Sequence, residues 1–188
     1  MSKTQIITIA GAIGSGKSST AKGVATHFGY RHFSSGDLFR QIAAERGLSI
    51  EAINLTAEEQ RDIDHQVDEL LANMGREGQK LVIDSRLAFH WIPQSFKVYL
   101  ALDPDTAATR IWNHIQTEGR VSQSATSLEE VRQNIDVRVA SERKRYQNLY
   151  SIDVTDQSSF DLVVDTKANN LEQVIATVIA AYEKWLSV

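Results

Sequence analysis

Eight residues near the start of the chain, Gly11-Ala12-Ile13-Gly14-Ser15-Gly16-Lys17-Ser18, constrain the fold more than any other segment. They match G-x-x-x-x-G-K-[ST] at every fixed position. The flanks fit the motif as well. Gln5–Ala10 reads as a buried strand, and Lys17–Phe28 reads as a helix with Ala21, Val24, Ala25 and Phe28 at i, i+3, i+4 and i+7. Glycines in such a turn let successive backbone N–H groups point inward and form a nest for an anion. The helix that follows adds the positive end of its dipole. The Lys17 ammonium can reach the β- and γ-phosphates of a triphosphate, and the Ser18 hydroxyl can ligate Mg²⁺. Gly11 to Ser18, with Ser19 behind them, are therefore expected to bind ATP or GTP together with magnesium.

The rest of the chain must say what happens to the γ-phosphate. With 188 residues it suits one domain that buries a proper core. There is no cysteine, which excludes disulfides and thiolate catalysis. No signal-like leader and no bilayer-length apolar run is seen, so the expectation is a cytoplasmic protein away from membranes. The net charge of −4 argues against binding a nucleic acid polymer. Five histidines, at 27, 32, 65, 90 and 114, include no i, i+4 pair of the kind that holds zinc.

Strand and helix patterns alternate along the chain, the signature of a doubly wound α/β sheet. Strands are expected at Tyr30–Phe33, Lys80–Asp84, Phe96–Leu102 and Phe160–Asp165, five with the first. A turn at Ser34–Asp37, with Asp37 as N-cap, is expected to open a helix to about Arg46. Ser49 to about Arg76 is polar and helical, with a break near Leu55–Glu59 capped by Thr56. The helical stretch around 36–76 reads as an insertion into the sheet domain. A helix starts near Pro104, and a long one runs from Ser127 to about Tyr150. Between them, Thr117–Thr126 is either a mobile lid or a plain connector; composition leaves both open. The final helix carries Leu171, Val174, Ile175, Val178, Ile179 and Tyr182 on one face, with Asn170 and Gln173 as a cap pair.

Several side chains outside the loop could carry chemistry. Asp84 ends an apolar strand, where a carboxylate can hold a magnesium-bound water across from Ser18. Arg86 follows at the carboxyl edge of the sheet, where open α/β sheets bind ligands. Ser35-Gly36-Asp37-Leu38-Phe39-Arg40 opens a second helix and so makes a second anion-binding helix start beside the first, as a phosphorylated acceptor would need. On the long helix, Leu128, Val131, Ile135 and Val139 form an apolar stripe. The stripe continues through Glu142 to Tyr146 and Leu149. A carboxylate on a core-facing stripe needs partners. Arg138, four residues before, and Arg145, three after, are within reach on the helix. Such arginines can stabilise charge on a transferring phosphoryl group.

Five stretches together resemble the compact cytidylate kinases of the P-loop nucleoside-monophosphate kinase family: ITIAGAIGSGKSS, HFSSGDLFRQIAAERG, DIDHQVDELL, IDSRLAFHW and SERKRYQNLYSIDVTDQSSFDLVVDT. The last is the most specific, and the likeness runs nearly end to end. It implies a three-layer fold, a five-stranded parallel sheet with helices on both faces. It also implies a monophosphate-binding helical region at about 35–76, a lid at about 117–126, and transfer of the ATP γ-phosphate to CMP or dCMP. On the matching positions, Ser35, Asp37 and Arg40 fall in the monophosphate segment and Arg86 lies near the acceptor phosphate. Arg110 matches an arginine on the helix before the lid. Arg138, Glu142 and Arg145 match an arginine–acid–arginine set, and Asp64 and Asp68 fall in an acidic helix that reads the cytosine amino group. Ser85 stands where the family usually has glycine. The expected ligands are small nucleotides and the expected assembly is a monomer or weak homodimer. Two other readings stay open: a kinase for another monophosphate or a small metabolite, and an ATP-binding switch without an acceptor. No N-K-x-D base reader of the GTPase switches is present.

Overall fold

Strand β1, Ile6–Gly11, is buried at every position, as a strand covered on both faces must be. A computed structural model describes residues 3–48, 62–78, 80–118 and 125–187. In order, β1 is followed by α1 (Lys17–Phe28), β2 (Arg31–Ser34), α2 (Ser35–Glu45), α3 (Asp62–Glu77), β3 (Leu81–Asp84), α4 (Ala88–Trp91), β4 (Phe96–Ala101), α5 (Pro104–Glu118), α6 (Leu128–Tyr150), β5 (Leu162–Asp165) and α7 (Leu171–Ser187). The five strands form one parallel sheet in the order β2-β3-β1-β4-β5. This is the α/β architecture expected from the alternation.

Period-two alternation along β1 divides the core. Ile7 and Ile9 meet Ala21 and Val24 of α1 and Val174, Val178 and Tyr182 of α7 on one face. Ile6, with Leu81 and Ile83, meets Val67, Leu71 and Met74 of α3 and Ala88 of α4 on the other. Thr8 is on the same side of β1 as Ile6, its buried hydroxyl 2.9 Å from that of Ser95. Helices α5 and α6 pack on each other and on the loop through Ile13, Ala107, Ala108, Val131 and Ile135.

The register brings the chemistry to one edge. Ile9 and Ser34 both sit opposite Asp84, and Gly11 opposite Leu100, so the loop after β1 and the ends of β2 and β3 meet at the carboxyl edge. Element boundaries follow local signals. Ser127 caps α6 by accepting from the Glu130 N–H at 3.1 Å. Asn170 and Gln173 exchange side chain-to-backbone bonds of 2.9 and 3.0 Å at the start of α7, as expected. One cap differs: α2 is capped by Ser34, whose hydroxyl accepts from the Asp37 N–H at 3.3 Å, and not by Asp37. Asp37 lies in the first turn, where its charge favours the helix start. The expected break at Leu55–Glu59, with its Thr56 cap, and most of the 117–126 segment lie outside the described residues. Helix α4 is one turn long, too short for any periodicity in the sequence to announce it.

Candidate active site

The turn out of β1 is shaped by glycines, by lack of space at Gly11 and by a left-handed backbone at Gly16. Gly11 has φ +143°, and a Cβ there would lie 2.3 Å from the Leu100 carbonyl oxygen. Gly16, at φ +84°, is the N-cap of α1 and supplies no side-chain cap, so the first N–H groups of the helix face the loop interior without a local partner from the cap residue. Ser15 is buried and donates to the Ala12 carbonyl at 2.8 Å, closing the turn. Lys17 Nζ donates to the carbonyl oxygens of Gly11 (3.2 Å) and Ala12 (2.8 Å), which holds the ammonium across the mouth of the nest. Burial, and secondly the charge of Arg86, push the Lys17 amine down to about 7. The site is therefore short of negative charge.

Asp84, at the end of β3, is buried and collects two hydroxyls on Oδ2: that of Ser18, in direct contact, and that of Ser34 at 3.2 Å. Ser35 Oγ donates to the Asp84 carbonyl at 3.4 Å. Asp84, which the sequence placed across from Ser18 as the holder of a magnesium-bound water, here takes the Ser18 hydroxyl directly, and Ser34 joins it. The donor set is all hard oxygen: one hydroxyl and one carboxylate. That set suits Mg²⁺, which takes few protein ligands and completes its shell from phosphates and water. Among the described residues no cluster of three or more His, Cys, Asp or Glu side chains could hold a metal ion.

Arg86 crosses from the end of β3 to the loop. Its guanidinium donates to the Gly11 carbonyl, and its Nε lies 2.8 Å from Glu142 Oε2. Glu142 Oε1 takes Arg138 Nε at 2.9 Å. Glu142 is buried; burial opposes its charge, but Arg86 and then Arg138 hold the carboxyl down at about 2. A cavity of about 180 Å³ opens beside this cluster, between the loop backbone, Arg86, Glu142 and the apolar side chains Ile135 and Val139 of α6.

Arg145 reaches elsewhere. Its Nε lies 3.2 Å from Asp64 Oδ2 on α3, and its ring neighbour is Tyr146, with the guanidinium carbon 5.0 Å from the ring centre. Glu142 is therefore bridged by Arg138 of its own helix and by Arg86 of a different element, where the sequence pointed to the helical neighbours on both sides. Asp68, one turn after Asp64, accepts from the Tyr150 hydroxyl. Burial pushes Asp64 up to about 6, and it raises Asp68 as well. Asp37 and Arg40 pair on the exposed face of α2. Arg110, on α5, donates to the Thr166 carbonyl at 2.6 Å and so sits by the exit of β5. Ser85 is buried, with its hydroxyl accepting from the Leu87 N–H at 3.4 Å. Arg86–Glu142, Asp68–Tyr150 and the part of Ser34 were not visible in the sequence. Only Ser34 left a trace there, in the S-x-x-D spacing of a capping box.

Comparison with known proteins follows the same lines. The family described as AAA domain matches residues 10–132. A cytidylate kinase from Haloquadratum walsbyi is 36% identical over 185 residues, covering 95% of this chain and 91% of the relative. The chain belongs to the cytidylate kinase family. A second cytidylate kinase, from Pyrococcus abyssi, is 36% identical over 183 residues, with 95% of this chain and 96% of its own length covered. The fold of the cytidylate kinase family member described here is shared with a shikimate kinase from Bacteroides thetaiotaomicron, with a TM-score of 0.61, 14% identity, and 97% and 98% of the two chains covered. This likeness concerns the fold alone.

Proposed function

We propose that the chain transfers the γ-phosphoryl group of ATP to CMP or dCMP, giving ADP and the nucleoside diphosphate. The observation that carries this reading is the meeting of Arg86, from the exit of β3, and Arg138, from α6, on the two oxygens of one buried glutamate, with Arg86 also on the loop carbonyl of Gly11. A phosphate-binding loop with fixed arginines beside it serves a reaction in which charge on a transferring phosphoryl group is spread and held.

An oxygen of the acceptor phosphate forms the new bond to the γ-phosphorus. The bond from that phosphorus to the β,γ-bridging oxygen breaks, and the electron pair leaves with ADP. The acceptor oxygen is already anionic near neutral pH, so no general base is required. Alignment and charge stabilisation do the work. Gly11 to Ser19 hold the triphosphate through backbone N–H groups. Lys17, Arg86 and Arg138 neutralise the phosphoryl oxygens, and the triphosphate restores the full charge of Lys17; Arg145, expected to join them, instead pairs with Asp64 on the acceptor side. Ser18 and Asp84 would hold Mg²⁺, which would offset charge on the phosphate oxygens. Glu142 fixes Arg86 and Arg138. Ser35, Asp37, Arg40 and Arg86 hold the acceptor phosphate side, Asp64 and Asp68 the base, and Arg110 a nucleotide near the exit of β5.

Residues 1–188 act as a single kinase domain, with 35–76 as the acceptor region and 117–126 as the lid that excludes water. The remaining partners are small nucleotides, with no nucleic acid polymer, in a cytoplasmic monomer or weak homodimer. No helix among the described residues is long and apolar enough to cross a membrane. The test is a panel of acceptors with ATP, scored by ADP release. CMP and dCMP are expected to be used best. A strong response only to another monophosphate or a small metabolite replaces the acceptor, and ATP binding with no transfer to any acceptor replaces the enzyme with a switch.

A further inference from the structure

Helix α6 lays out the site like a ruler. Arg138, Glu142, Tyr146 and Tyr150 recur every four residues along one side of it. Glu142 binds the arginine beside the phosphate loop, whereas Tyr150 binds Asp68 of α3. The two positions are eight residues apart, about 12 Å along the axis, a span comparable to that between the phosphate and the base of a nucleotide. The Tyr150 end is walled by aromatic rings. Trp91 lies edge-on to Tyr150 at 5.7 Å, and His90 and Tyr146 lie at 6.3 Å. Among the described residues Trp91 Nε1 is buried without a hydrogen bond of full geometry, and it points close enough to Asp68 to favour the ionised carboxylate. The phosphate end thus offers cations, and the far end offers flat rings, a carboxylate and an indole N–H.

We propose that Tyr150 is a positioning residue for acceptor choice: by donating its hydroxyl to Oδ2 of Asp68, it orients that carboxylate so that the other oxygen accepts from the exocyclic amine of the acceptor base, favouring an amine-bearing over a carbonyl-bearing pyrimidine. This inference rests on the acceptor site placed at Asp64 and Asp68 in the preceding section. The chemistry is one of matching polarity. An ionised carboxylate only accepts hydrogen bonds. Cytosine presents an amine donor at the position where uracil presents a carbonyl acceptor, and two acceptors facing each other leave both unpaired. A carboxylate free to rotate selects weakly, because it costs order to fix it at each binding event. A carboxylate already held by a phenol is fixed before the base arrives. Burial and the neighbouring Asp68 raise the Tyr150 hydroxyl far above its ordinary range, so it remains a donor throughout the working pH range.

The test measures kcat/KM for CMP and UMP, together with KM for ATP, in the wild type, Tyr150→Phe, Asp68→Asn and the double variant. Wild-type turnover of CMP is established first; its absence refutes the acceptor assignment itself. Given that turnover, Tyr150→Phe is expected to lower the CMP-to-UMP ratio by about tenfold or more. The loss should come mainly through KM for CMP, with KM for ATP and the melting temperature little changed. The double variant is expected to match Asp68→Asn, because Tyr150 acts through Asp68. An unchanged ratio in Tyr150→Phe overturns the proposal and leaves the acceptor assignment standing. A further loss of selectivity when Tyr150→Phe is added to Asp68→Asn also overturns it, since Tyr150 would then act on the base independently. A fall in turnover with both acceptors and a raised KM for ATP reduces Tyr150 to a structural role and overturns it too.

Discussion

Two acidic clusters lie along α6, Glu142 on the helix itself and Asp64 and Asp68 facing it from α3, and burial alone does not tell them apart. Glu142 is 5% exposed, Asp64 4% and Asp68 6%. Yet Glu142 is held down at about 2 while Asp64 is pushed up to about 6. The difference is the count of cations against anions. Glu142 shares its two oxygens between Arg86 and Arg138. Asp64 has the charge of Arg145 in its favour, but the neighbouring charge of Asp68 against it, and burial outweighs the balance. The phosphate end is therefore a region of surplus positive charge with a fixed carboxylate as its strut. The α3 end is a region of surplus acceptors, suited to a neutral ring with N–H groups. One helix serves both because its side chains reach different elements at each end.

The sharpest attack on the phosphate end is Lys17→Ala. It is expected to lower kcat about 10²- to 10³-fold, with the melting temperature close to wild type, since among the described residues the ammonium donates to the nearby carbonyl oxygens of Gly11 and Ala12. Steady-state kinetics beside a thermal melt decide this; near wild-type turnover removes Lys17 from the transferring group.

Glu142→Gln probes the strut. Losing a buried carboxylate between two arginines is expected to cost about 3 kcal/mol in denaturant unfolding. The pH dependence separates charge from packing. The folded Glu142 lies at about 2 against an ordinary 4.5, so its stabilisation is fully present above pH 4.5 and is lost as pH falls through about 2. The variant should lose that slope. An unchanged acid limb would show that the arginines do not depend on this carboxylate.

Asp64→Asn probes the other cluster and should show the opposite sign. The folded Asp64 lies at about 6 against 3.8, so the folded state binds the extra proton and the wild type loses stability as pH rises from about 4 to 6. In the variant this descent should disappear. A wild type that gains stability from this group over that window would erase the contrast between the two ends.

Much of this arrangement was legible in the sequence. The helix Lys17–Phe28 has the limits that its apolar spacing gave it, and the expected strands differ from the observed ones by a residue or two at their ends. Such elements are set by local periodicity and turn chemistry. Ser34 was overlooked as the α2 cap because Asp37, three residues on, offers the same type of acceptor. Helix α4 was missed because a single turn has no period.

The sequence by itself determined the loop, a carboxylate at the end of β3 across from Ser18, and the presence of arginine near a carboxylate on α6. A loop motif is local, and a carboxylate on an apolar stripe demands cations wherever the chain goes. Only the tertiary structure decided which cations answer. Arg86 is 56 positions from Glu142 and Tyr150 is 82 from Asp68, so no helical spacing relates them. The docking of α6 against the end of β3 and against α3 brings them together. That docking follows from the apolar packing of α6 on α5 and the loop, through Val131, Ile135, Ala107, Ala108 and Ile13, not from any pair of polar residues.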